Sequence, residues 1–266
     1  MLAFVHMYKS GGKTLRSILR RNFTYRHCDL YGLYGKRTIP DADWRWLQTC
    51  YPDIVSIGGH DIKPYEQHDV LGDVQFYTFV RNPVERALSH YQNLIRVVQN
   101  PVPFAEWMKL NANKQTMMLA GEPSFDKAIE ILNKKIKFVG ITEKFDESLI
   151  MWKKWTCLTD LNIHYLAENV AGSSSIKHEV LANPGSLDLL HEYNQVDQAV
   201  YDYIAKTSYV QQQKKYGVAL DQDVQEFKFE LEQQEHHKKI CFPEFYARAK
   251  RNIIVRPSLQ VLTKIR

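Results

Sequence analysis

Cysteine is scarce in this chain. There are four in 266 residues, Cys28, Cys50, Cys157 and Cys241, and no two of them form a CxxC pair. That spacing argues against a zinc site. Four scattered thiols in a chain of this size do not make a disulfide scaffold. Long apolar runs are missing too: no stretch approaches the roughly 20 apolar residues that span a bilayer. The opening MLAFVHMYKSGG carries an apolar run too short for a signal-peptide core and passes straight into glycines. The expectation is a cytoplasmic protein with no membrane partner. Internal repeats, low-complexity linkers and dense runs of one charge are absent. The nearest thing to a basic cluster is a scatter near the end, Arg248, Lys250, Arg251, Arg256, Lys264 and Arg266, which reads as a solvated terminus. No nucleic-acid partner is expected.

The residues that are present fit one α/β domain with a full core and are too few for two large ones. Apolar residues make up 44% and charged residues 24%, an ordinary globular composition. A net charge of +5 suits an anionic cofactor or acceptor. The 15 tyrosines suit a core first and a sugar-stacking surface second. The same holds for the Trp44-Arg45-Trp46 cluster.

Strands alternate with helices along the chain. Residues 2–7 read as a strand, 9–13 as a glycine loop, and 14–22 as a helix through Leu15, Ile18 and Leu19. Residues 24–52 read as irregular, punctuated by Pro40 and Pro52. A second strand is expected at 54–57, ending in Gly58-Gly59-His60, and a third at 75–80, ending in Arg81-Asn82-Pro83. Pro83 suits a first helical position, opening a helix to about residue 99. Helical segments follow near 104–120 and 124–134. Then come a strand at 137–141, a helix at 142–155 with Thr142 as N-cap, and a strand at 162–166. A polar loop at 172–178, one or two helices over 185–215 and a solvated helix at 222–239 complete the reading. This alternation predicts a mostly parallel sheet with helices on both faces. Residues 1–217 are expected to form the main domain, and 218–266 a C-terminal helix and basic tail that packs on the same domain or extends from it. In such sheets ligands sit at the carboxyl ends of strands, and three informative loops lie there.

The first is Lys9-Ser10-Gly11-Gly12-Lys13-Thr14. Its glycines let backbone N–H groups point into one concavity, the helix N-terminus adds positive partial charge, and lysine and threonine complete an anion cradle. Although Gly12-Lys13-Thr14 ends like a nucleotide triphosphatase loop, that pattern needs a glycine at position 7, which is Met7. A magnesium-holding Asp is also expected at the end of a later strand, and Arg81 stands there instead. In the second loop Arg81 ends its strand and Ser89 lies about two turns into the next helix, an arrangement that suits gripping one phosphate. The third offers His60, placed as a general base near neutrality, with Glu66, His68 and Asp61 as weaker candidates. His6 reads as a buttress of the first loop. Lys63, Tyr65, Asn113 and Gln115 are candidates to line an acceptor cleft.

These strings resemble the glycosaminoglycan-type sulfotransferases, the group of heparan sulfate 2-O-sulfotransferase, and their bacterial relatives. The similar motifs are His6-x-x-Lys9-x-Gly11-Gly12-x-Thr14 and Arg81-Asn82-Pro83-x-x-Arg86 followed by Ser89. Further similarity lies in Gly59-His60, Asn113-x-Gln115 and the run from Phe138 to Ser148. The resemblance covers residues 2 to about 150. It implies a P-loop-like parallel sheet flanked by helices, and the cofactor 3'-phosphoadenosine 5'-phosphosulfate (PAPS), with PAP as product and no metal required. It implies that the Lys9–Thr14 loop binds the 5'-phosphosulfate, with Lys9 stabilising the leaving phosphate. Arg81 and Ser89 would hold the 3'-phosphate, His60 would be the base, and Lys177 would cover the cofactor. Tyr8 stands where the family has proline, Lys13 where Thr or Ser is common, Asn82 where it has Asp, and Met117 where Arg often stands. The acceptor is expected to be a glycan hydroxyl. A small alcohol or amine metabolite, a P-loop kinase or NTPase, and a silent PAP-binding protein are the alternatives.

Overall fold

The computed structural model describes residues 1–30, 39–66, 72–165, 175–234, 242–255 and 257. The described residues form a five-stranded, wholly parallel sheet in the order β2-β3-β1-β4-β5. The strands are β1 (Leu2–Val5), β2 (His27–Leu30), β3 (Ser56–Gly59), β4 (Gln75–Val80) and β5 (Ile136–Ile141). Strands covered on both faces read as continuous apolar runs, and LAFV of β1 and FYTFV of β4 are buried almost throughout. The order places β1 at the centre, between β3 and β4, so the three loops singled out in the sequence leave the sheet side by side.

Two elements lie where an irregular segment was expected. β2 is four residues long and reads HCDL, with two polar side chains that no apolar pattern reveals. Its polar groups are satisfied inside the fold. His27 meets Ser56 Oγ at 3.0 Å and Asp29 at 3.3 Å, and Arg20 donates to Asp29 at 2.6 Å. Burial pushes the Asp29 carboxyl up, but His27 and Arg20 outweigh it and hold its pKa at about 2. The second missed element is helix α2 (Asp41–Cys50), which buries Trp44 and Leu47. Trp44 is thus a core residue, and Trp46 packs against the same core.

The helix α1 (Gly12–Phe23) sets Leu15, Ile18 and Leu19 into the core, as its spacing requires. In α3 (Pro83–Val97), Pro83 takes the first position and the Asn82 side chain accepts from the N–H groups of Val84 and Glu85. The expected helix near 104–120 is two, α4 (Phe104–Leu110) and α5 (Lys114–Ala120), broken at Asn113, whose φ is 43°. Next come α6 (Phe125–Lys134) and α7 (Phe145–Thr156). Thr142 opens a short 3₁₀ turn rather than α7 itself, its hydroxyl donating to Val80 O. No strand forms over 162–165. β3 begins two residues later than expected and ends at Gly59, directly before His60.

The later chain is helical: α8 (Ser175–Ala182), α9 (Pro184–Glu192), α10 (Gln195–Tyr203), α11 (Tyr209–Tyr216), α12 (Leu220–Gln234) and α13 (Phe242–Lys250). Lys177 therefore sits on a helix, not in a loop. α12 is not purely solvated, because Leu220 and Phe227 are buried in the core. α13 packs against α1, and Arg251 donates to Asp29 O at 3.1 Å. A smaller apolar cluster joins α3, α4, α8 and α9 through Leu88, Tyr91, Trp107, Met108, Val180 and Leu190. No helix among the described residues is long and apolar enough to cross a membrane.

Candidate functional site

A cavity of about 440 Å³ opens at the carboxyl ends of β1, β3 and β4. One wall is the first loop: Lys9, Gly11, Gly12, Lys13 and Thr14 line it. Arg81 and Ser89 contribute from the end of β4 and from α3, and His60 from the end of β3. The structure thus brings together eight of the residues the sequence singled out.

The loop owes its path to backbone conformations that side chains oppose. Gly11 has φ 73°, and a Cβ there would lie 2.6 Å from the Phe145 ring. A Cβ on Gly12 would lie 1.7 Å from His6 Nε2, so His6 packs under the loop only because Gly12 is bare. Lys9 also adopts a left-handed φ, 64°, which is uncommon for a residue with a side chain. Helix α1 then starts with no capping side chain and no acid in its first turn. Its first N–H donors and positive end are left for an anion.

The charges tell the same story. Lys9, Lys13 and Arg81 stand close enough that burial, then Lys13, Arg81 and Arg96, lower the Lys9 pKa. Arg81 donates to Lys9 O at 3.2 Å and lies 3.7 Å from Glu85. Crowded cations with one partly exposed acid as partner favour an incoming anion.

The opposite wall is uncharged. His60 Nδ1 lies 2.7 Å from His6 O. A carbonyl only accepts, so Nδ1 carries the proton and Nε2 the lone pair. Burial drives the His60 pKa down to about 4 against the hydrogen bond to His6, with Arg16 and Lys114 lowering it further. Burial likewise lowers His90 to about 4, reinforced by Arg86, Lys114 and Lys9. His6 is held well below its usual value, first by burial. Near neutral pH all three are bases.

These rings form one column. Phe4 stacks on His6 at 5.2 Å, His6 on His60 at 4.3 Å, His60 on Tyr8 at 3.9 Å and Tyr8 on His90 at 5.1 Å, and His90 meets Trp107 edge-on at 5.2 Å. Tyr8, His90, Asn93 and Thr142 line the cavity without having been singled out as site residues. Asn93 is one helical turn beyond Ser89, and that spacing was the available signal.

The remaining expected site residues do not line the cavity. Ser10 is fully buried and its hydroxyl has no hydrogen-bond partner. Lys177 donates to Glu85 at 2.6 Å and so reaches Arg81 through that acid. Lys63 is buried 3.2 Å from Glu66, and Asp61 is buried too. The Tyr65 ring packs over Gly121. Asn113 accepts from the N–H groups of Val196 and Asp197, at 3.0 and 3.1 Å. Gln115 is buried, with its amide on the Arg81 backbone. His68 lies outside the described residues, as do Arg256, Lys264 and Arg266. Arg86, from the Arg81–Arg86 string, is wholly buried beside Asn194.

A larger cleft, about 800 Å³, lies between α7 and α12 and contains none of the expected site residues. Among the described residues, no three His, Cys, Asp or Glu side chains gather as metal ligands would. The chain matches no protein-family model and no curated protein. The arrangement at the carboxyl ends of the central strands can hold a multiply charged anion on one wall and take up a proton on the other.

Proposed function

We propose that the chain is a PAPS-dependent sulfotransferase with a sulfotransferase-type P-loop-like fold, acting on a hydroxyl of a glycan or small-molecule acceptor. The observation that carries the reading is the pairing of walls in one cavity. A cationic glycine loop at a bare helix N-terminus faces a neutral imidazole, and an arginine directly follows β4 where a metal-binding acid would serve a nucleotide triphosphatase.

When bound, PAPS supplies the sulfuryl group, passed to the acceptor oxygen as the sulfur–oxygen bond to the 5'-phosphate breaks and PAP leaves. The loop N–H groups, Lys9, Lys13 and Thr14 hold the 5' end, and Lys9 offsets charge on the departing phosphate. Arg81 and Ser89 hold the 3'-phosphate. His60 takes the acceptor proton on Nε2 as the oxygen attacks. Alignment and charge stabilisation account for most of what such a transfer needs.

Calorimetric titration with PAP and with ATP, each with and without magnesium, tests the reading. Tight PAP binding that ignores magnesium, with weak ATP binding, is the expected result. Magnesium-dependent ATP binding without PAP binding would replace the sulfotransferase with a kinase.

A further inference from the structure

We propose that Gln115 is a positioning residue for the Arg81 guanidinium, and that it sets how strongly the site prefers a 3'-phosphorylated nucleotide over one with a free 3'-hydroxyl. The inference rests on the cofactor reading above. Arg81 is the first residue beyond β4. The pairing of β4 with β5 ends at Val80 and Ile141, and that with β1 ends at Thr78 and Val5. The Arg81 backbone has therefore left the ladder just where its side chain must be aimed.

The Gln115 amide replaces the missing strand. Its Oε1 accepts from Arg81 N at 2.9 Å, and its Nε2 donates to Arg81 O at 2.8 Å. Two bonds to one residue fix the peptide groups on either side, and with them the direction in which the side chain leaves the backbone. Gln115 is only 4% exposed, and both amide atoms are engaged. It acts through Arg81 rather than on an acceptor.

The clamp is itself anchored. Gln115 N donates to Asp197 Oδ2 at 3.0 Å, and Asp197 Oδ1 accepts from Thr116 N and Thr116 Oγ1, each at 2.7 Å. Asn113 returns the favour at the start of α10. Two helices thus lock the amide that locks Arg81. The guanidinium, held at its base, reaches Lys9 O across the cavity.

The test compares PAP with AMP, which keeps the 5'-phosphate and lacks the 3'-phosphate. Affinities are measured on the full chain for the unmodified protein, Gln115→Met, Arg81→Ala and the double variant, with circular dichroism confirming folding. Gln115→Met keeps the side-chain volume and removes both bonds. We expect it to weaken PAP by about 10- to 100-fold, the scale of one or two lost charge-orienting hydrogen bonds, and to leave AMP nearly unchanged. Adding Arg81→Ala should then cost PAP little more, because the two residues act as one unit. If the Met variant does not fold, Gln115→Leu, which also removes both bonds without adding a charge, should shift the PAP-to-AMP ratio in the same direction. Equal weakening of both nucleotides, or an unchanged ratio, overturns the role of Gln115. A failure of the unmodified protein to prefer PAP over AMP would instead overturn the cofactor reading.

Discussion

His60 faces an atom that can only accept a hydrogen bond, the His6 carbonyl oxygen 2.7 Å away, so its tautomer is set by the backbone. Its flat neighbours His6 and Tyr8 hold the ring on both faces. If His60 is the base, His60→Ala should lower transfer by at least about 100-fold, the usual contribution of a positioned base, while PAP affinity stays the same. Turnover near the original would remove His60 from the mechanism. The acid limb of the rate profile should lie near pH 4 rather than near the ordinary histidine value, because burial has moved the pKa there. The charged and glycine positions of the site were legible, since His60 and Arg81 directly follow strands that apolar runs mark out, and Gly11 and Gly12 lie in the loop between such a strand and the next helix. His90 was not, because it lies inside a helix and only the rotation of α3 about its axis turns it to the cavity, whereas Asn93 was marked only by its one-turn spacing from Ser89. Gln115 was read as an acceptor contact because its partner is backbone 34 residues away, which carries no side-chain signature.

Among the elements, α5 and α10 cap each other. Asn113 supplies the acceptor for the start of α10, and Asp197 the acceptor for the start of α5. The two caps are not equal. Asp197 is also the charge that offsets the buried Arg86, whose pKa burial lowers and Asp197 raises. Asn113→Ala should cost about 1 kcal/mol, as a lost cap does. Asp197→Ala should cost about 3–5 kcal/mol, because it strands a buried cation as well. Denaturant melts of the two variants check the order, and equal losses would mean that Arg86 does not depend on Asp197. Element legibility followed polarity. β4 was found in place because FYTFV is apolar throughout, whereas β2 hid behind His27 and Asp29, whose partners Arg20 and Ser56 are visible only once the sheet is assembled. α2 was lost for a related reason, since its apolar face is little more than Trp44 and Leu47.

For the whole molecule, three imidazoles are kept neutral by folding. The unfolded chain binds protons on His6, His60 and His90 near pH 6.5, while the folded chain resists until about pH 4 for His60 and His90. Between those values the unfolded state holds more protons, so stability rises with pH across the window and is lost as pH falls through it. Thermal melts should therefore show a falling midpoint from about pH 6.5 toward pH 4, and a flat midpoint would mean that these rings are not desolvated. Asp29 acts in the same direction at lower pH: its stabilisation is complete above the ordinary carboxylate value and is lost as pH falls toward about 2. The column of rings also joins two cores. Phe4 belongs to the main cluster and Trp107 to the smaller one, and the rings between them line the cavity. A fluctuation that separates the two clusters breaks this column of rings. Hydrogen exchange in α3 and at the end of β1 should therefore proceed as one cooperative unit, so that the cavity opens whole or stays shut.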